Sequence, residues 1–383
     1  MKVGINGWRI HGQRTGLGRY LLNTVTRWTP ERVGERVEEI NFYTPLAVDR
    51  DDVPLPDNVR ERVIGPNWRM LVWENLRLGP SAADDVMFCP SYTRPLVARG
   101  RTVVTTHDAT LHMYPELYPG RGRAFYDRLY GWSARHATLV ITTTETVRGH
   151  VADCWGVPRD RIRVVGLGTD EHIKPMPGDP RVAEARQRYL GGPEPFFLFV
   201  GKLSVRRNVP KLIAAFGELR HRESIDHKLL VVGLNTQNVD IGRLATEHGV
   251  ADHVVHCEYV SEEDLVALYN AAEVFVMPST FETLSLPVME CQAVGTPAIT
   301  IDTAGLRETT GGAAYLMPRA EVSEMVEAMT RLATDDGLRA ELAEAGLAHA
   351  AKRSWERCSD ETLDVLEEAA GLAPPRPIAG ART

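Results

Sequence analysis

The sequence predicts an α/β protein built from two Rossmann-like domains. Short apolar runs alternate with longer amphipathic segments along the 383 residues, which is the pattern of repeated strand–helix units and parallel sheets. The two halves are similar in length and in this alternation. Between them, glycine and proline cluster over 166–178, which indicates a linker. The length suits two domains of ordinary size.

The first half carries short apolar runs that we interpret as strands: Lys2–Ile5, Ile40–Tyr43, Val86–Cys89, Thr102–Thr105, Leu139–Thr142 and Ile162–Val165. Segments between them repeat their apolar residues at helical spacing. The helices that we predict there include Tyr20–Trp28, Arg123–Ala134 and Glu145–Trp155. Strand and helix therefore alternate from the first residues onward.

The second half repeats this order with more continuous apolar runs, which are typical of strands buried on both faces. The predicted strands are Phe196–Val200, Lys228–Val232, Val254–Cys257, Val274–Met277, Pro297–Thr300 and Ala313–Leu316. The predicted helices include Val209–Glu218, Glu262–Ala271 and Ser323–Ala333. A second parallel sheet follows from this pattern.

We place the domains at 1–172 and 173–354. Parallel sheets bind ligands beyond the carboxyl ends of their strands, so we predict the active site in a cleft between the two domains. The last stretch, 373–383, is rich in proline, alanine and glycine, and we predict that it is disordered.

Composition argues against several function classes. The net charge of -7 speaks against nucleic acid or an anionic membrane as the main partner. The five cysteines are scattered without metal-like spacing, which indicates reduced thiols in a cytoplasmic protein. No apolar run approaches the ~20 residues that span a bilayer, and the first residues read as a strand, not a signal peptide. Peripheral contact with the inner membrane face stays open.

The most informative stretch is 281–290, directly after an apolar strand candidate. Glu282 and Glu290 lie eight positions apart in it. Pro287 is tolerated in a first helical turn and Ser285 suits an N-cap, so we predict a loop with Glu282 and then a helix. The free N–H groups of a helix start suit a phosphate, and the carboxylates suit sugar hydroxyls. The alternative is a capped helix with two solvated acids.

Two further loops follow predicted strands. In the stretch 12–20, Gly16 and Gly18 precede a helix, either as a phosphate-contacting loop or as a plain glycine turn. As a dinucleotide fingerprint this stretch lacks the third glycine. In the stretch 199–208, Gly201 ends a buried strand, and the cations that follow suit a diphosphate or form a solvated basic turn: Lys202, Arg206 and Arg207.

His107 follows the strand candidate Thr102–Thr105, so we expect it at a strand end that faces the cleft, as a catalytic or a structural histidine. Asp49 and Asp51 have the Asp-x-Asp spacing of divalent-metal sites. Because Asp52 and two prolines follow, an exposed acidic loop is favoured over a metal site. The sequence lacks the Gly-x-Ser-x-Gly turn of a serine hydrolase.

Taken in order, these motifs resemble the family 4 glycosyltransferases of the GT-B fold, and among them the bacterial mannosyltransferase-like branch. The resemblance extends over nearly the whole chain. It implies two Rossmann-like domains facing across a deep cleft, with a C-terminal helix at about 355–372 packing back on the first domain. The motifs that carry it are Arg14–Tyr20, Trp73–Leu76, Thr105–Asp108, Gly168–Asp170, Val200–Ser204, Glu282 with Glu290, Ala293–Pro297 and Ser354–Glu356.

The resemblance also implies a role for each motif residue. Glu290 would bind ribose hydroxyls, and Glu282 would contact hydroxyls of the donor sugar. Lys202 and Arg207 match the basic pair that neutralises the donor diphosphate, and His107 matches a histidine close to the transferred sugar. The other donor-binding positions are Gly16, Gly18, Gly201, Thr283, Leu284, Ser285 and Leu286.

The implied reaction transfers a hexosyl group from a nucleotide sugar to an acceptor hydroxyl, with retention of configuration and without a metal or cofactor. The branch favours GDP-mannose, while UDP- and dTDP-sugars stay open. The acceptor would be a glycan, a lipid-linked sugar or a secondary metabolite. Thr283-Leu284-Ser285 stands where the family has Gly-Phe-Gly, and Lys202 replaces an arginine. A nucleotide-sugar epimerase and a non-catalytic nucleotide-sugar-binding protein are the alternatives.

Overall fold

The computed structural model describes residues 1–12, 16–118, 120, 122–223 and 225–373. The chain divides into two compact units. Unit 1 comprises Met1–Gly168 together with the segment that begins at Ser354, and unit 2 comprises Thr169–Arg353. Most of the predicted tail at 373–383 lies outside the described residues.

The described part of unit 1 holds a seven-stranded parallel sheet with the order β3-β2-β1-β4-β5-β6-β7. Strand order reverses between β1 and β4, as in doubly wound folds. The strands are β1 (Lys2–Asn6), β2 (Glu39–Thr44), β3 (Val59–Val63), β4 (Val86–Cys89), β5 (Arg101–Thr106), β6 (Leu139–Thr142) and β7 (Ile162–Val164).

The helices of unit 1 fall between these strands. The predicted helices Arg123–Ala134 and Glu145–Trp155 are confirmed to within two residues, whereas the helix predicted at Tyr20–Trp28 begins four residues earlier and ends three residues earlier. A π-helical turn at Glu74–Leu78 continues α3. The helices are α1 (Gly16–Val25), α2 (Pro30–Val33), α3 (Met70–Trp73), α4 (Gly79–Ser81), α5 (Thr110–Met113), α6 (Arg123–His136) and α7 (Glu145–Trp155).

Strand β3 is the one that the sequence analysis missed. Its sequence, Val-Arg-Glu-Arg-Val, has three charged residues in the middle, and most of its side chains are partly or fully exposed. It lies at the edge of the sheet, where β2 is its one partner among the described strands. Edge strands carry charge because one side faces water, so no continuous apolar run marks them.

The described part of unit 2 holds a six-stranded parallel sheet with the order β10-β9-β8-β11-β12-β13, which reverses between β8 and β11. Strands β8 and β11 are buried along their whole length, as their continuous apolar sequences predict. The strands are β8 (Phe196–Val200), β9 (Lys228–Val232), β10 (Val254–Cys257), β11 (Val274–Met277), β12 (Ala298–Ile301) and β13 (Tyr315–Met317).

Helices cover this second sheet, and the core lies between them and the strands. Phe197, Leu198, Phe216, Leu230 and Phe275 are fully buried there. The helices are α8 (Pro180–Leu190), α9 (Val209–Arg222), α10 (Ile241–Glu247), α11 (Glu262–Ala271), α12 (Leu286–Val294), α13 (Ala304–Thr310), α14 (Val322–Thr334) and α15 (Asp336–Ala350).

The helix α16 (Trp355–Ala370) returns to unit 1, which confirms the predicted C-terminal helix. The Trp28 indole N–H donates to Ser359 O at 3.2 Å, and Ser359 Oγ donates to Thr24 O at 2.9 Å. At the other end of α16, Arg163 and Glu368 form an ion pair that is almost fully buried. This helix is therefore an integral layer of unit 1.

None of the described helices is long and apolar enough to cross a bilayer. All five cysteines are free thiols.

Candidate functional site

Two loops of unit 2 meet where its strand order reverses. The first covers 201–208 and follows β8, and the second covers 278–285 and follows β11. These strands are hydrogen-bonded neighbours although far apart in sequence. Doubly wound sheets bind ligands in the crevice at this position. The loops and α12 bring together most of the predicted donor-binding residues: Gly201, Lys202, Arg207, Glu282, Thr283, Leu284, Ser285, Leu286 and Glu290.

The absence of a side chain at Gly201 lets the guanidinium group of Arg207 lie over the end of β8. The φ of Gly201 is +147°, a conformation that glycine adopts without strain. A Cβ at this position would lie 1.2 Å from Nη1 of Arg207, so the guanidinium fills that space. The same nitrogen donates to Val200 O at 3.3 Å. Burial lowers the pKa of Arg207, with Glu282 acting in the opposite direction, and a guanidinium keeps its charge.

Hydrogen bonds hold the two loops together. The backbone N–H and the hydroxyl of Thr280 both donate to Arg206 O, at 2.9 and 3.2 Å. Nη1 of Arg206 donates to Phe281 O at 2.8 Å. Asn208 Nδ2 donates to Pro278 O at 2.8 Å. Because both backbones take part, the position of Glu282 is set by the turn that carries the arginines.

Glu282 is a buried carboxylate with two cations on one oxygen. Its side chain is 8% exposed, Oε1 is in direct contact with Nη1 of Arg206, and Nη2 of Arg207 lies 3.6 Å from the same oxygen. A buried charge needs such compensation. The first turn of α13 packs directly on the backbone here, since a Cβ on Gly305 would lie 2.1 Å from Glu282 O.

Helix α12 begins at Leu286 with Pro287 in its first turn, as predicted. Ser285 occupies the N-cap position, but its hydroxyl makes no capping hydrogen bond and is buried without a partner among the described residues. Thr283 and Leu284 are half-buried before it. The first backbone N–H groups of this helix have no intrahelical acceptor, so they suit an anionic oxygen.

Glu290 lies one turn further along α12 and is 6% exposed. Its Oε2 accepts a 2.9 Å hydrogen bond from the hydroxyl of Tyr269 on α11. This bond fixes the orientation of the carboxylate.

Lys202 differs from the two arginines in being exposed. Within the described residues, no carboxylate lies at ion-pair distance from its Nζ, whereas Arg206 and Arg207 share Glu282. The edge of the sheet is therefore positive on balance. A local positive field at a ligand edge attracts phosphate groups, even in an acidic protein.

In unit 1, His107 directly follows β5. Its Nε2 lies 3.0 Å from Pro90 O, so we assign the proton of the neutral ring to Nε2. The ring stands edge-on to Tyr20 and Tyr92, with centroids 5.1 and 5.7 Å away. Burial lowers the pKa of His107, which keeps the imidazole neutral at pH 7.

Tyr92 follows β4 and has a φ of +61°, which is an outlier for a bulky side chain. Its hydroxyl donates to Asp108 Oδ2 at 2.8 Å, and its ring stacks on Tyr130 with centroids 4.7 Å apart. Aromatic contacts continue from Tyr130 to Tyr126 and to the exposed Phe125. Such strain persists where the surroundings enforce it, often at functional sites.

Glu74, the first residue of the π-helical turn, is a second buried carboxyl and contacts the last residue of β1. Its Oε2 accepts from Asn6 Nδ2 and from Thr93 Oγ1, both at 2.9 Å, and its Oε1 has no hydrogen-bond partner among the described residues. Burial raises the pKa of Glu74 to about 7, against the effect of those hydrogen bonds. Nearby, Arg9 Nε donates to Ser91 Oγ at 3.0 Å.

Gly16 and Gly18 lie in the first turn of α1. The preceding residues of this motif, Arg14 and Thr15, fall outside the described residues. The predicted phosphate contact of this loop stays a prediction.

The possible metal ligands among the described residues are exposed or half-buried. Asp49 and Asp51 lie in an exposed turn, where the N–H of Asp51 donates to Asp49 Oδ1 at 3.0 Å. In the described part of the chain, one group of three potential ligands has its atoms within 4.8 Å of one another: Asp170, His172 and Glu262. Exposed groups of this kind are common without a metal.

Two family models match the chain in succession. The model "Glycosyltransferase Family 4" matches residues 21–172, and "Glycosyl transferases group 1" matches residues 183–349. The chain belongs to the family 4 glycosyltransferases. The first match lies almost wholly in unit 1 and the second lies in unit 2, so the family assignment extends over both sheets of this glycosyltransferase.

Curated relatives agree with this assignment. O-antigen chain mannosyltransferase B of Escherichia coli is 25% identical over 374 residues, which is 92% of this glycosyltransferase and 96% of that protein. Alpha-D-kanosaminyltransferase of Streptomyces kanamyceticus is 26% identical over 249 residues. That match covers 63% of this chain and 64% of the Streptomyces protein, less than two thirds of its length.

A solved structure confirms the GT-B fold. Anabaena HepE, crystallised with UDP-glucose, is 16% identical and superposes with a TM-score of 0.75. The match covers 96% of this glycosyltransferase and 100% of the Anabaena chain.

Sequence reasoning missed the parts played by Arg206 and Glu74. In the sequence, Arg206 is one of three cations in a basic turn, and its contact with Glu282 joins loops that are more than seventy positions apart. Glu74 belongs to the motif Trp73–Leu76, and the sequence predicts no separate role for it. A carboxylate flanked by Trp73 and Asn75 gives no sign in the sequence that it is buried.

Proposed function

We propose that this glycosyltransferase moves a hexosyl group from a nucleotide sugar to an acceptor hydroxyl, and that the donor binds where β8 and β11 end. One observation carries the proposal. Arg207 and the buried Glu282 meet there beside the start of α12, and Lys202, on the same turn, has no ion-pair partner among the described residues. This combination suits a sugar joined to a diphosphate.

In this proposal the diphosphate lies between Lys202, Arg207 and the first N–H groups of α12. The backbone of Gly201 and of residues 283–286 lines this space. Glu282 binds hydroxyls of the transferred sugar, and Glu290, oriented by its tyrosine partner, binds the ribose hydroxyls. Carboxylates suit such hydroxyl donors because they offer only acceptors when ionised.

The reaction needs stabilisation of charge on the leaving diphosphate. Fixed cations and helix-start N–H groups aimed at that group stabilise the transition state more than the ground state. Lys202 and Arg207 supply this charge, so the proposed mechanism is metal-independent.

We propose retention of configuration without a covalent sugar–enzyme intermediate. The carboxylate of Glu282 is engaged by two guanidinium groups, which makes it a poor nucleophile. In the route that we favour, the leaving phosphate accepts the proton of the acceptor hydroxyl while the new bond forms on the same face. The neutral imidazole of His107 suits a hydrogen bond to a sugar hydroxyl rather than a charge interaction.

GDP-mannose is the first donor to test, supported by the Escherichia coli mannosyltransferase, and a UDP-sugar is the rival, supported by the complex of HepE. For the acceptor we propose the edge of unit 1 near Tyr92 and His107, where backbone strain and aromatic side chains coincide. A glycan or a lipid-linked sugar is the favoured acceptor. Because of the similarity to the kanosaminyltransferase, a secondary metabolite is a further acceptor to test.

The test is a thermal-shift screen with GDP, UDP, dTDP and ADP, each alone and as its sugar conjugates. A ligand at about 100 times its Kd adds about 2.7 kcal/mol of stability, which moves the midpoint by a few degrees. We expect one nucleotide to raise the thermal midpoint more than the others. The Lys202→Gln variant should lose this increase. The Glu282→Ala variant should keep it but lose transfer of the sugar to an acceptor. Glu341→Ala, at an exposed position on α15, is the control. Wild-type turnover by Glu282→Ala would refute the site.

A further inference from the structure

Arg206 is the cation of this edge that the proposed donor contacts do not use. Its backbone and side chain make four contacts with residues 280–282: two hydrogen bonds from Thr280, one to Phe281 O and the ion pair with Glu282. Its side chain is 27% exposed, so it lies deeper than a solvated surface arginine. Both of these partners of its guanidinium group, Phe281 O and Glu282, belong to the loop that carries the proposed sugar-binding carboxylate.

The charges at this edge do not pair evenly. Oε1 of Glu282 faces two guanidinium groups, in direct contact with Arg206 and 3.6 Å from Arg207. The closer cation takes most of the attraction of the carboxylate, because Coulomb energy falls with distance. Glu282 therefore neutralises the charge of Arg207 only in part. Together with Lys202, Arg207 presents two positive groups to a diphosphate.

We infer that Arg206 is a positioning residue that occupies Glu282 and so leaves Arg207 free to bind the donor's diphosphate. The inference rests on the proposed donor site and names a residue that acts there without touching the donor. If Arg206 is removed, the nearest cation to Oε1 of Glu282 is Arg207. Their pairing would withdraw one of the two charges from the diphosphate.

This arrangement predicts a loss that is specific to the phosphates. In Arg206→Gln the backbone carbonyl still accepts from Thr280, so the two loops stay joined. We expect affinity for the nucleoside diphosphate to fall by about tenfold or more, because losing one hydrogen bond with a charged group reduces affinity by about this factor. Affinity for the matching nucleoside, which carries no phosphate, should change less than twofold.

The double variant separates positioning from direct contact. In Arg206→Gln with Glu282→Gln, no carboxylate competes for Arg207, so diphosphate affinity should return to within about threefold of wild type. The conservative variant Arg206→Lys should retain most of the affinity. If Arg206 instead bound the diphosphate itself, the double variant would stay as weak as the single one, and the inference would be overturned.

The experiment is titration calorimetry on the full chain with the nucleoside diphosphate that wins the thermal screen and with its nucleoside. The control is Arg243→Gln, which removes an exposed arginine on α10. Thermal midpoints check folding, and the Arg206→Lys and double variants keep the test valid if Arg206→Gln is unstable.

The outcomes distinguish two failures. Absence of any nucleoside diphosphate binding by wild type would refute the proposed donor site itself. Binding that Lys202→Gln abolishes but Arg206→Gln leaves unchanged would refute only the positioning role. Equal losses for nucleoside and nucleoside diphosphate in Arg206→Gln would also overturn it, because that pattern indicates a general structural defect.

Discussion

Replacing Gly201 by alanine should weaken donor binding by about tenfold in addition to destabilising the fold. The new Cβ would lie 1.2 Å from Nη1 and 2.5 Å from Cζ of Arg207. Carbon contacts settle at about 3.5–4.0 Å, so the guanidinium has to move by about 2 Å or more. Because the displaced atoms are the end of a flexible side chain, the clash is relieved without moving the strand.

The magnitude follows from Coulomb's law. At an effective dielectric constant of about 20, a pair of unit charges about 4 Å apart is worth about 4 kcal/mol, and about 6 Å apart about 2.7 kcal/mol. The difference of about 1.4 kcal/mol corresponds to about tenfold in the affinity of Arg207 for one phosphate charge. Backbone strain at a positive φ adds about 1–3 kcal/mol of destabilisation of the fold.

The assay compares calorimetric Kd values for the nucleoside diphosphate and urea unfolding for stability. Gly312→Ala is the matched control, since Gly312 also has a positive φ, +81°, but open space where its Cβ would be. Both variants should lose stability, and only Gly201→Ala should lose affinity. Wild-type affinity in a folded Gly201→Ala protein would contradict the placement of Arg207 in the donor site.

Two further variants test unit 1 by urea unfolding. Because burial raises the pKa of Glu74 from 4.5 to about 7, the folded protein holds a proton that the unfolded chain releases, so stability falls as pH rises through this window. Glu74→Gln should remove about 3 kcal/mol of the stability difference between pH 4.5 and 8, and an unchanged profile would refute that assignment. Glu368→Gln should cost about 3–5 kcal/mol by leaving the buried charge of Arg163 uncompensated. On the same helix, Glu361 pairs at i,i+4 with the exposed Arg357, so Glu361→Gln leaves a solvated cation and should cost under about 0.5 kcal/mol; equal losses would contradict the buried pair.

Continuous apolar sequence was enough to locate the interior strands. Strands β8, β9 and β11 begin and end where the sequence analysis placed them, because strands inside a sheet that is covered on both faces need a run of apolar side chains. The edge strand β3 lacks this constraint, and its charged sequence was therefore missed.

The candidate site was predictable where local sequence sets the geometry. Pro287 and Ser285 predicted the start of α12 correctly. The hydroxyl of Ser285 nevertheless makes no capping hydrogen bond, because the conformation of a side chain depends on tertiary packing, which cannot be read from the local sequence. The contact of Arg206 with Glu282 depends on two strands being neighbours in the sheet. Such long-range pairing is visible only once the fold is known.

The return of α16 to unit 1 has a consequence for how the protein is made. Residues 1–168 leave the ribosome first, but the helix that completes their packing is translated only after all of unit 2. At roughly 5–20 residues per second this delay is on the order of ten seconds or more. During it, the surface around Trp28 that α16 later covers is open to water and to other chains. The sequence of unit 2 is contiguous, so all of its segments are available as soon as residue 353 has been synthesised. The half that is synthesised later can therefore complete its packing before the first half does.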